Sequence, residues 1–346
     1  MSADALPHAI RRLAEGRNLT ADECSAAFDI LMQGKAAPSQ IAALLMGLRI
    51  KGENSDEVSG AAAALRRAML PLDCDDPSSL VDTCVTGGGS IQTFNISTAA
   101  ALLTAGAGVR VAKHGNRSFT SRSGSADVLE ALGVAVDVTP EVMARGLRSA
   151  GIVFMFAPVM HPAMRHVGPV RRELGIATIM NILGPLANPA GAKRQVVGVA
   201  EPARLALIAN ALAALGSEHA LVVHGAPGMD ELSPLGTTTV FEVLRGKVTT
   251  WSINPEELGL SPGEMRATDL AGGSPEENAL VIEGVLQGRG APAAEAAVLL
   301  NAAAAIYVSG RAPSIEVAFQ QAQSALLAGA GTAALSRLRA AQKKNQ

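Results

Sequence analysis

The chain has 346 residues, 48% of them hydrophobic and 17% charged, and its 29 Lys and Arg against 31 Asp and Glu leave a net charge of −2. Such a composition excludes a disordered chain, and no apolar stretch reaches the roughly 18 to 20 residues of a membrane span; the best, 97–109, stops at Arg110. The near-neutral charge speaks against a dedicated nucleic-acid binder, and 7 Phe, 1 Trp and 1 Tyr are too few for base-stacking platforms.

Residues 1 to about 70 read as four short helices, with apolar residues at helical spacing: Ile10 and Leu13, then Phe28, Leu31 and Met32, then Ile41, Leu44, Leu45 and Leu48. Thr20, Ser39 and Ser55 stand where N-caps belong. From about residue 80, apolar runs at 80–84, 109–112, 134–138, 152–156, 196–200 and 220–223 alternate with helix-like segments at 98–107, 126–132 and 203–215. That alternation predicts an α/β domain with a largely parallel sheet, behind a small helical N-terminal domain. The Pro/Gly-punctuated stretch 162–189 does not fit a simple βα repeat and can cross back to the N-terminal helices. Residues 237–244 and 247–253 read as a hairpin, and the rest as mainly helical, closing in RLRAAQKKNQ, a solvated, fraying helix end. Three cysteines without a CxxC pair (Cys24, Cys74 and Cys84), and Arg11 and Arg12 with no apolar region behind them, fit a cytoplasmic protein without a signal peptide.

Four stretches carry chemistry. In DTCVTGGGS at 82–90, three glycines follow a strand. They suit a backbone anion nest or merely a flexible turn, and fit neither GxGxxG nor the P-loop. Thr93-Phe94-Asn95-Ile96-Ser97-Thr98 opens a helix whose N–H donors and positive dipole end suit an anion, as its polar residues suit ordinary capping. Lys113-His114-Gly115-Asn116-Arg117-Ser118 ends a strand, and Thr120, Ser121, Ser123, Gly124 and Ser125 open the next helix. Two such helix starts with a cationic loop between them suit a molecule bearing phosphates at both ends. Asp230 and Glu231 repel each other unless a cation lies between them, and their oxygens suit Mg²⁺.

FNIST at 94–98, KHGNRS at 113–118, SGSADVLEALG at 123–133, HPAMRHVGPVRRELG at 161–175, NILGPLANP at 181–189 and DELSP at 230–234 together resemble the anthranilate phosphoribosyltransferases, of the type III nucleoside phosphorylase/phosphoribosyltransferase group. The likeness spans nearly the whole chain. It implies a cytoplasmic homodimer with a helical domain of residues 1–72 and 165–187 and an α/β domain of residues 73–164 and 188–346. The substrates implied are 5-phosphoribosyl 1-diphosphate (PRPP) and anthranilate, with two Mg²⁺ per subunit, and the class of enzyme is a pentosyltransferase of tryptophan biosynthesis. By the same resemblance, Val85, Gly87, Gly88, Gly89, Thr93, Asn95, Ile96, Ser97 and Thr98 would hold PRPP. Lys113, His114, Gly115, Asn116, Arg117, Ser118, Ser121 and Ser125 would wrap its phosphates. Ser97, Asp230 and Glu231 would bind metal; Asn116 and Arg171 would contact anthranilate, with His114, His161 and Pro185 lining its access path. No covalent nucleophile is implied: positioning and charge suffice.

The related glycine loop reads GTGGD, whereas here it is Val85-Thr86-Gly87-Gly88-Gly89. A β-branched residue disfavours φ > 0, and a carboxylate is missing at 89, so weakened PRPP binding is expected. Two other readings compete. A pyrimidine nucleoside phosphorylase would need a nucleobase-reading site in place of Asn116, Arg171 and Pro185; a non-catalytic nucleic-acid-binding paralogue would not need the Asp230-Glu231 pair.

Overall fold

In the computed structural model, which describes residues 4–118 and 122–343, the chain opens with α1 (Ala5–Ala14), α2 (Ala21–Met32), α3 (Pro38–Lys51) and α4 (Ser55–Ala68). Thr20 caps α2 as expected: its Oγ1 accepts the Glu23 N–H at 3.2 Å, and the Glu23 carboxylate accepts the Thr20 N–H at 2.9 Å. The other two caps differ from expectation. Asn54, not Ser55, caps α4 by accepting the Glu57 N–H at 2.9 Å, since Ser55 is already the first helical residue. Helix α3 starts at Pro38, whose ring presets a helical φ where no N–H partner is needed, so Ser39 lies inside the helix.

Next come β1 (Leu80–Val85), α5 (Ile96–Gly106), β2 (Arg110–Gly115), α6 (Ser125–Ala131), α7 (Pro140–Ala150) and β3 (Ile152–Phe156). Short helices α8 (Ala157–Met160), α9 (Gly168–Leu174) and α10 (Met180–Leu183) lead into β4 (Arg194–Gly198), α11 (Leu205–Ala214) and β5 (His219–Gly225). The hairpin β6 (Thr238–Leu244) and β7 (Lys247–Ile253) precedes α12 (Pro275–Leu286), α13 (Pro292–Val308), α14 (Ile315–Leu327) and α15 (Ala330–Ala341). The strands form one sheet in the order β3-β2-β1-β4-β5-β6-β7, parallel as far as β5 and antiparallel in the hairpin. From β1 the chain builds outward on one side, and from β4 on the other. Their boundary, where Val85 pairs with Gly198, is therefore the switch point at which such sheets bind ligands.

Two expectations fail. Residues 134–138 make no strand: Val134, Val136 and Val138 are buried, but β3 takes the place beside β2, pairing Ile152 with Val111. Alternate burial marks an extended segment with one covered face, and does not by itself provide a ladder partner. Nor does the chain fray where RLRAAQKKNQ begins. Leu338 and Gln342 are buried, Arg339 reaches the Leu132 carbonyl and Glu283, and the Gln342 Nε2 donates to the Phe154 carbonyl at 3.2 Å. The charges that suggested solvent serve as ties to other elements.

Strand side chains alternate between two cores. Leu221 and Val223 of β5 face the layer containing α5, α12 and α13, while Ala220 and Val222 face α11 and the N-terminal helices. Val167, Val170, Ile179 and Leu183 join that second core, so the 162–189 stretch does cross back. Helices α2 and α4 approach closely at Gly60, where a Cβ would lie 2.2 Å from the Ala21 carbonyl oxygen. In an open helix Gly→Ala stabilises by about 1 kcal/mol; here overpacking, at about 1–3 kcal/mol, outweighs it. Gly60→Ala should therefore lower the midpoint of thermal unfolding followed by circular dichroism.

Candidate active site

The C-terminal ends of β1, β2 and β4 gather buried charge. Lys113 of β2 is buried; its Nζ donates to the Thr83 carbonyl and lies 3.3 Å from the Ser97 Oγ. Asp82 of β1 is fully buried, its Oδ1 accepting the His114 N–H at 3.1 Å and its Oδ2 the Asn188 Nδ2 at 2.8 Å. Burial pushes Asp82 up to about 6 and lowers Lys113, each against the attraction of the other. The buried Asp230-Glu231 pair follows β5. Burial, then repulsion from Asp230, pushes Glu231 up to about 8; burial also raises Asp230. Glu231 Oε1 accepts the Ser97 N–H at 3.2 Å, so the N-terminus of α5 is met by a carboxylate of the protein itself. Only glycine fits at 198, where a Cβ would fall 1.7 Å from the Asp230 carbonyl oxygen. A small cavity lies beneath, lined by Thr83, Cys84, Ser97, Gly198, Glu231 and Asn301.

Gly87 and Gly88 take φ of +72° and +87°, with open space where either Cβ would stand, so a ligand can approach this loop closely, and the Gly87 N–H faces the Asp230 carboxylate. Val85 carries no such strain. It ends β1 in extended pairing with Gly198, and among the described residues Arg245 is the one non-glycine with positive φ. The conformational objection to Val85 is thereby overturned. Gly89 is the tighter position: a Cβ there would come 2.9 Å from Asp230 Oδ1.

The other residues expected at PRPP fall into two groups. Asn95 is a junction: its Oδ1 accepts from Ser123 Oγ at 3.1 Å and Asn278 Nδ2 at 2.9 Å, and its Nδ2 donates to the Ser123 carbonyl at 3.1 Å. Thr93 bridges to Ala271, Ile96 is in the core, and the buried Thr98 Oγ1 has no hydrogen-bond partner among the described residues. In the second group, the Asn116 carbonyl accepts from Ser125 Oγ and the Ala126 N–H, both at 3.2 Å, and a Cβ at Gly115 would meet that Ser125 oxygen at 2.2 Å. Arg117 turns away to Asp127 at 2.9 Å and Glu130 at 2.5 Å, with its guanidinium 5.4 Å from the Phe156 ring centre. Asp127 Oδ2 accepts the Ser118 and Gly124 N–H groups at 3.1 and 2.9 Å. The α6 start is thus engaged by protein acceptors rather than open to an anion. Thr120 and Ser121 lie outside the described residues.

His114 and His161 meet Nε2 to Nε2 at 3.2 Å, both buried, and burial holds them down to about 3 and 4. Both rings are then neutral near pH 7, one donating to the other. Pro185 is buried with its carbonyl accepting from Gln195 Nε2 at 2.8 Å, and the Leu186 carbonyl accepts from Arg66 Nε at 2.7 Å. Arg171 of α9 is half-buried and has neither ion pair nor side-chain hydrogen bond among the described residues, leaving a charged fork free for an anion. Sequence reasoning assigned no role to Asp82, Asn188, Gln195 or Arg66. The signal for Asp82 was present, since a carboxylate inside an apolar strand requires buried donors.

Residues 77–332 match the glycosyl transferase family, α/β domain, and residues 7–69 that family's helical bundle domain. The chain is 50% identical over 333 residues to an anthranilate phosphoribosyltransferase of Rubrobacter xylanophilus, covering 96% of each, and 48% identical over 329 residues to one of Rhodopseudomonas palustris, covering 95% and 96%. The Thermus thermophilus anthranilate phosphoribosyltransferase structure superposes with a TM-score of 0.91 at 42% identity, covering 97% of this chain and 99% of that one. The Saccharomyces cerevisiae enzyme in complex with PRPP and Mg superposes at 0.88 with 26% identity, covering 98% of each. The chain therefore belongs to the glycosyl transferase family whose α/β and helical bundle domains it carries in order, alongside the anthranilate phosphoribosyltransferases.

Proposed function

We propose that this chain transfers the 5-phosphoribosyl group of PRPP to the amine of anthranilate, giving N-(5-phosphoribosyl)anthranilate and diphosphate. The observation that carries the reading is the buried Asp230-Glu231 pair at the switch point, beside an open glycine loop and joined to the KHGNRS strand end through Lys113. The yeast relative seen with PRPP and Mg supports the same substrate and metal. The match to anthranilate phosphoribosyltransferases favours this acceptor over a nucleobase, and the net charge of −2 disfavours nucleic acid.

The residues present fit Mg²⁺. Two adjacent carboxylates whose burial and mutual repulsion favour their protonated forms gain from a divalent cation, and Mg²⁺ prefers few protein oxygens plus substrate phosphates. Asp230, Glu231 and the Ser97 hydroxyl would hold it, with two ions per subunit. When bound, Mg²⁺ supplies positive charge to the departing diphosphate. The chain's own groups do the rest. The glycine-loop N–H groups and Asn95 hold PRPP; Lys113 balances the carboxylates below; Arg171 pairs the anthranilate carboxylate, with Asn116 beside it and His114, His161 and Pro185 along its path. The C1–O bond to diphosphate breaks, the C1–N bond forms, and the amine releases a proton.

The helical part, residues 1–72 with 165–187, is read as a unit that pairs with a second copy in a cytoplasmic homodimer. Its connections to the α/β part run side by side, with the Leu70 N–H donating to the Met160 carbonyl at 2.8 Å and the Leu72 N–H to the Pro189 carbonyl at 2.9 Å. The active cleft would lie between the two parts.

Mixing the protein with anthranilate, PRPP and Mg²⁺ should deplete anthranilate fluorescence; no turnover at high PRPP would sink the reading. Asp230→Asn with Glu231→Gln should lower kcat/KM by about a hundredfold or more. Because Glu231 and Asp230 hold protons in the folded chain at a pH where the unfolded chain has released them, the metal-free protein loses stability as pH rises from about 4.5 towards about 8. Mg²⁺ competes with the Glu231 proton, so the rise in melting temperature caused by Mg²⁺ should be larger at pH 8.5 than at pH 6. In the glycine loop, Val85→Gly with Gly89→Asp should lower the apparent KM for PRPP at saturating Mg²⁺. The change should come from position 89, with Val85→Gly alone within about twofold of the parent, as expected where no strain is relieved.

A further inference from the structure

The geometry points to Asp82 and Asn188 as positioning residues that hold the phosphoribosyl-donor loop and the acceptor wall at a fixed separation. The inference rests on the proposed assignment of the KHGNRS strand end to PRPP and of the 161–188 stretch to anthranilate. Asp82 belongs to β1, yet its side chain serves two other parts of the chain: one oxygen takes the His114 N–H of β2, and the other takes the amide of Asn188, the residue that follows the Pro185 wall.

Asn188 has no freedom to turn. Its Nδ2 is shared between Asp82 at 2.8 Å and the Ala112 carbonyl at 2.9 Å, while its Oδ1 accepts the Ala190 N–H at 2.9 Å. Flipping the amide would face donor with donor and acceptor with acceptor at all three contacts. The preceding residues are pinned from other directions, Pro185 by Gln195 of β4 and Leu186 by Arg66 of α4. Three anchors converge on Pro185, Leu186 and Asn188, and those of Asn188, to Asp82 and to the Ala112 carbonyl, are the ones that lead to the strand carrying Lys113 and His114.

Stability alone gives a weak reason for a carboxylate here, because burying one is costly and an apolar residue of similar volume packs a core at least as well. What the carboxylate supplies is two acceptors on one rigid plane, aimed at donors on two elements. Bond formation between two bound substrates is sensitive to such a separation, since small displacements of the reacting atoms cost large factors in rate and apparent affinity.

Asp82→Asn tests this, because an amide offers one acceptor and one donor to two donors and must break one of the two bonds. The expected result, per folded enzyme, is a rise of roughly tenfold in KM for both PRPP and anthranilate, the size of one lost charge-assisted hydrogen bond. Asn188→Ser keeps the Asp82–His114 bond and loosens only the acceptor side, so KM should rise for anthranilate and stay near the parent value for PRPP. A merely structural role would lower kcat in proportion to the folded fraction and leave both KM values unchanged. Parent-like KM values in both variants, or a rise for PRPP alone in Asn188→Ser, would overturn the inference. Should Asp82→Asn not fold, Asn188→Ser decides by the same criterion. Absence of turnover in the parent chain would instead remove the proposed function, and this inference with it.

Discussion

One buried ammonium holds the strand ends together. Lys113 sits among Asp82 on β1, Glu231 beyond β5 and the start of α5, and among the described residues it is the one cation acting on both of those buried carboxyls. Asp230 adds its repulsion to Glu231, so this one ammonium is set against more buried carboxyl charge than it can balance. Full ionisation would leave an excess of negative charge in low dielectric, which the folded chain relieves by retaining protons. The same imbalance makes the site receptive to a divalent cation that arrives with a polyphosphate. Gly198 is part of this arrangement, because only a residue without a Cβ lets the Asp230 backbone approach β4 closely enough to bring both carboxylates to the switch point.

The anion-binding donors are distributed differently from what a count of polar residues suggests. Arg117 is engaged by Glu130 and Asp127, Asp127 also occupies the N–H groups leading into α6, and Ser97 gives its N–H to Glu231. Among the described residues, the loop backbone at Gly88 and the guanidinium of Arg171 remain open, while the Gly87 N–H faces the Asp230 carboxylate. These open donors match the two kinds of anion that the proposed reaction must hold, a diphosphate and a carboxylate. The donors already engaged keep the loops in shape, and Asn95 shows how: it joins Ser123 from one loop and Asn278 from α12, so the PRPP-side loops share one junction.

Much of this was legible in the sequence because period and motif report on local geometry. Apolar runs located the strands of the sheet, and Thr20 announced a helix start that the structure bears out. Residues 134–138 misled because alternate burial is necessary for a strand at a surface but does not specify a neighbour. The chain's end misled in the opposite sense: Arg337 and Arg339 look solvated, yet each donates to a backbone carbonyl far away in sequence. At the site, residue types were legible and partners were not. Asp82, Asn188 and Gln195 acquire their roles only when β1, β2, β4 and the crossover stretch meet, contacts that no local window contains.

The glycine loop shows why a departure from a related motif has to be weighed in three dimensions. As a string, Val85 looks the more serious change, since it places a branched side chain where glycine is usual. In the fold it is the milder one: the residue is extended and paired with Gly198, and a branched side chain suits that conformation. Gly89 lies beside Asp230 Oδ1, so the absent side chain there leaves the acidic pair without a third carboxylate. Fewer fixed charges mean weaker intrinsic attraction for a cation, but also less repulsion to overcome when the site is empty. A two-carboxylate site then depends more on oxygens that the substrate itself brings, which ties metal affinity to the arrival of the diphosphate.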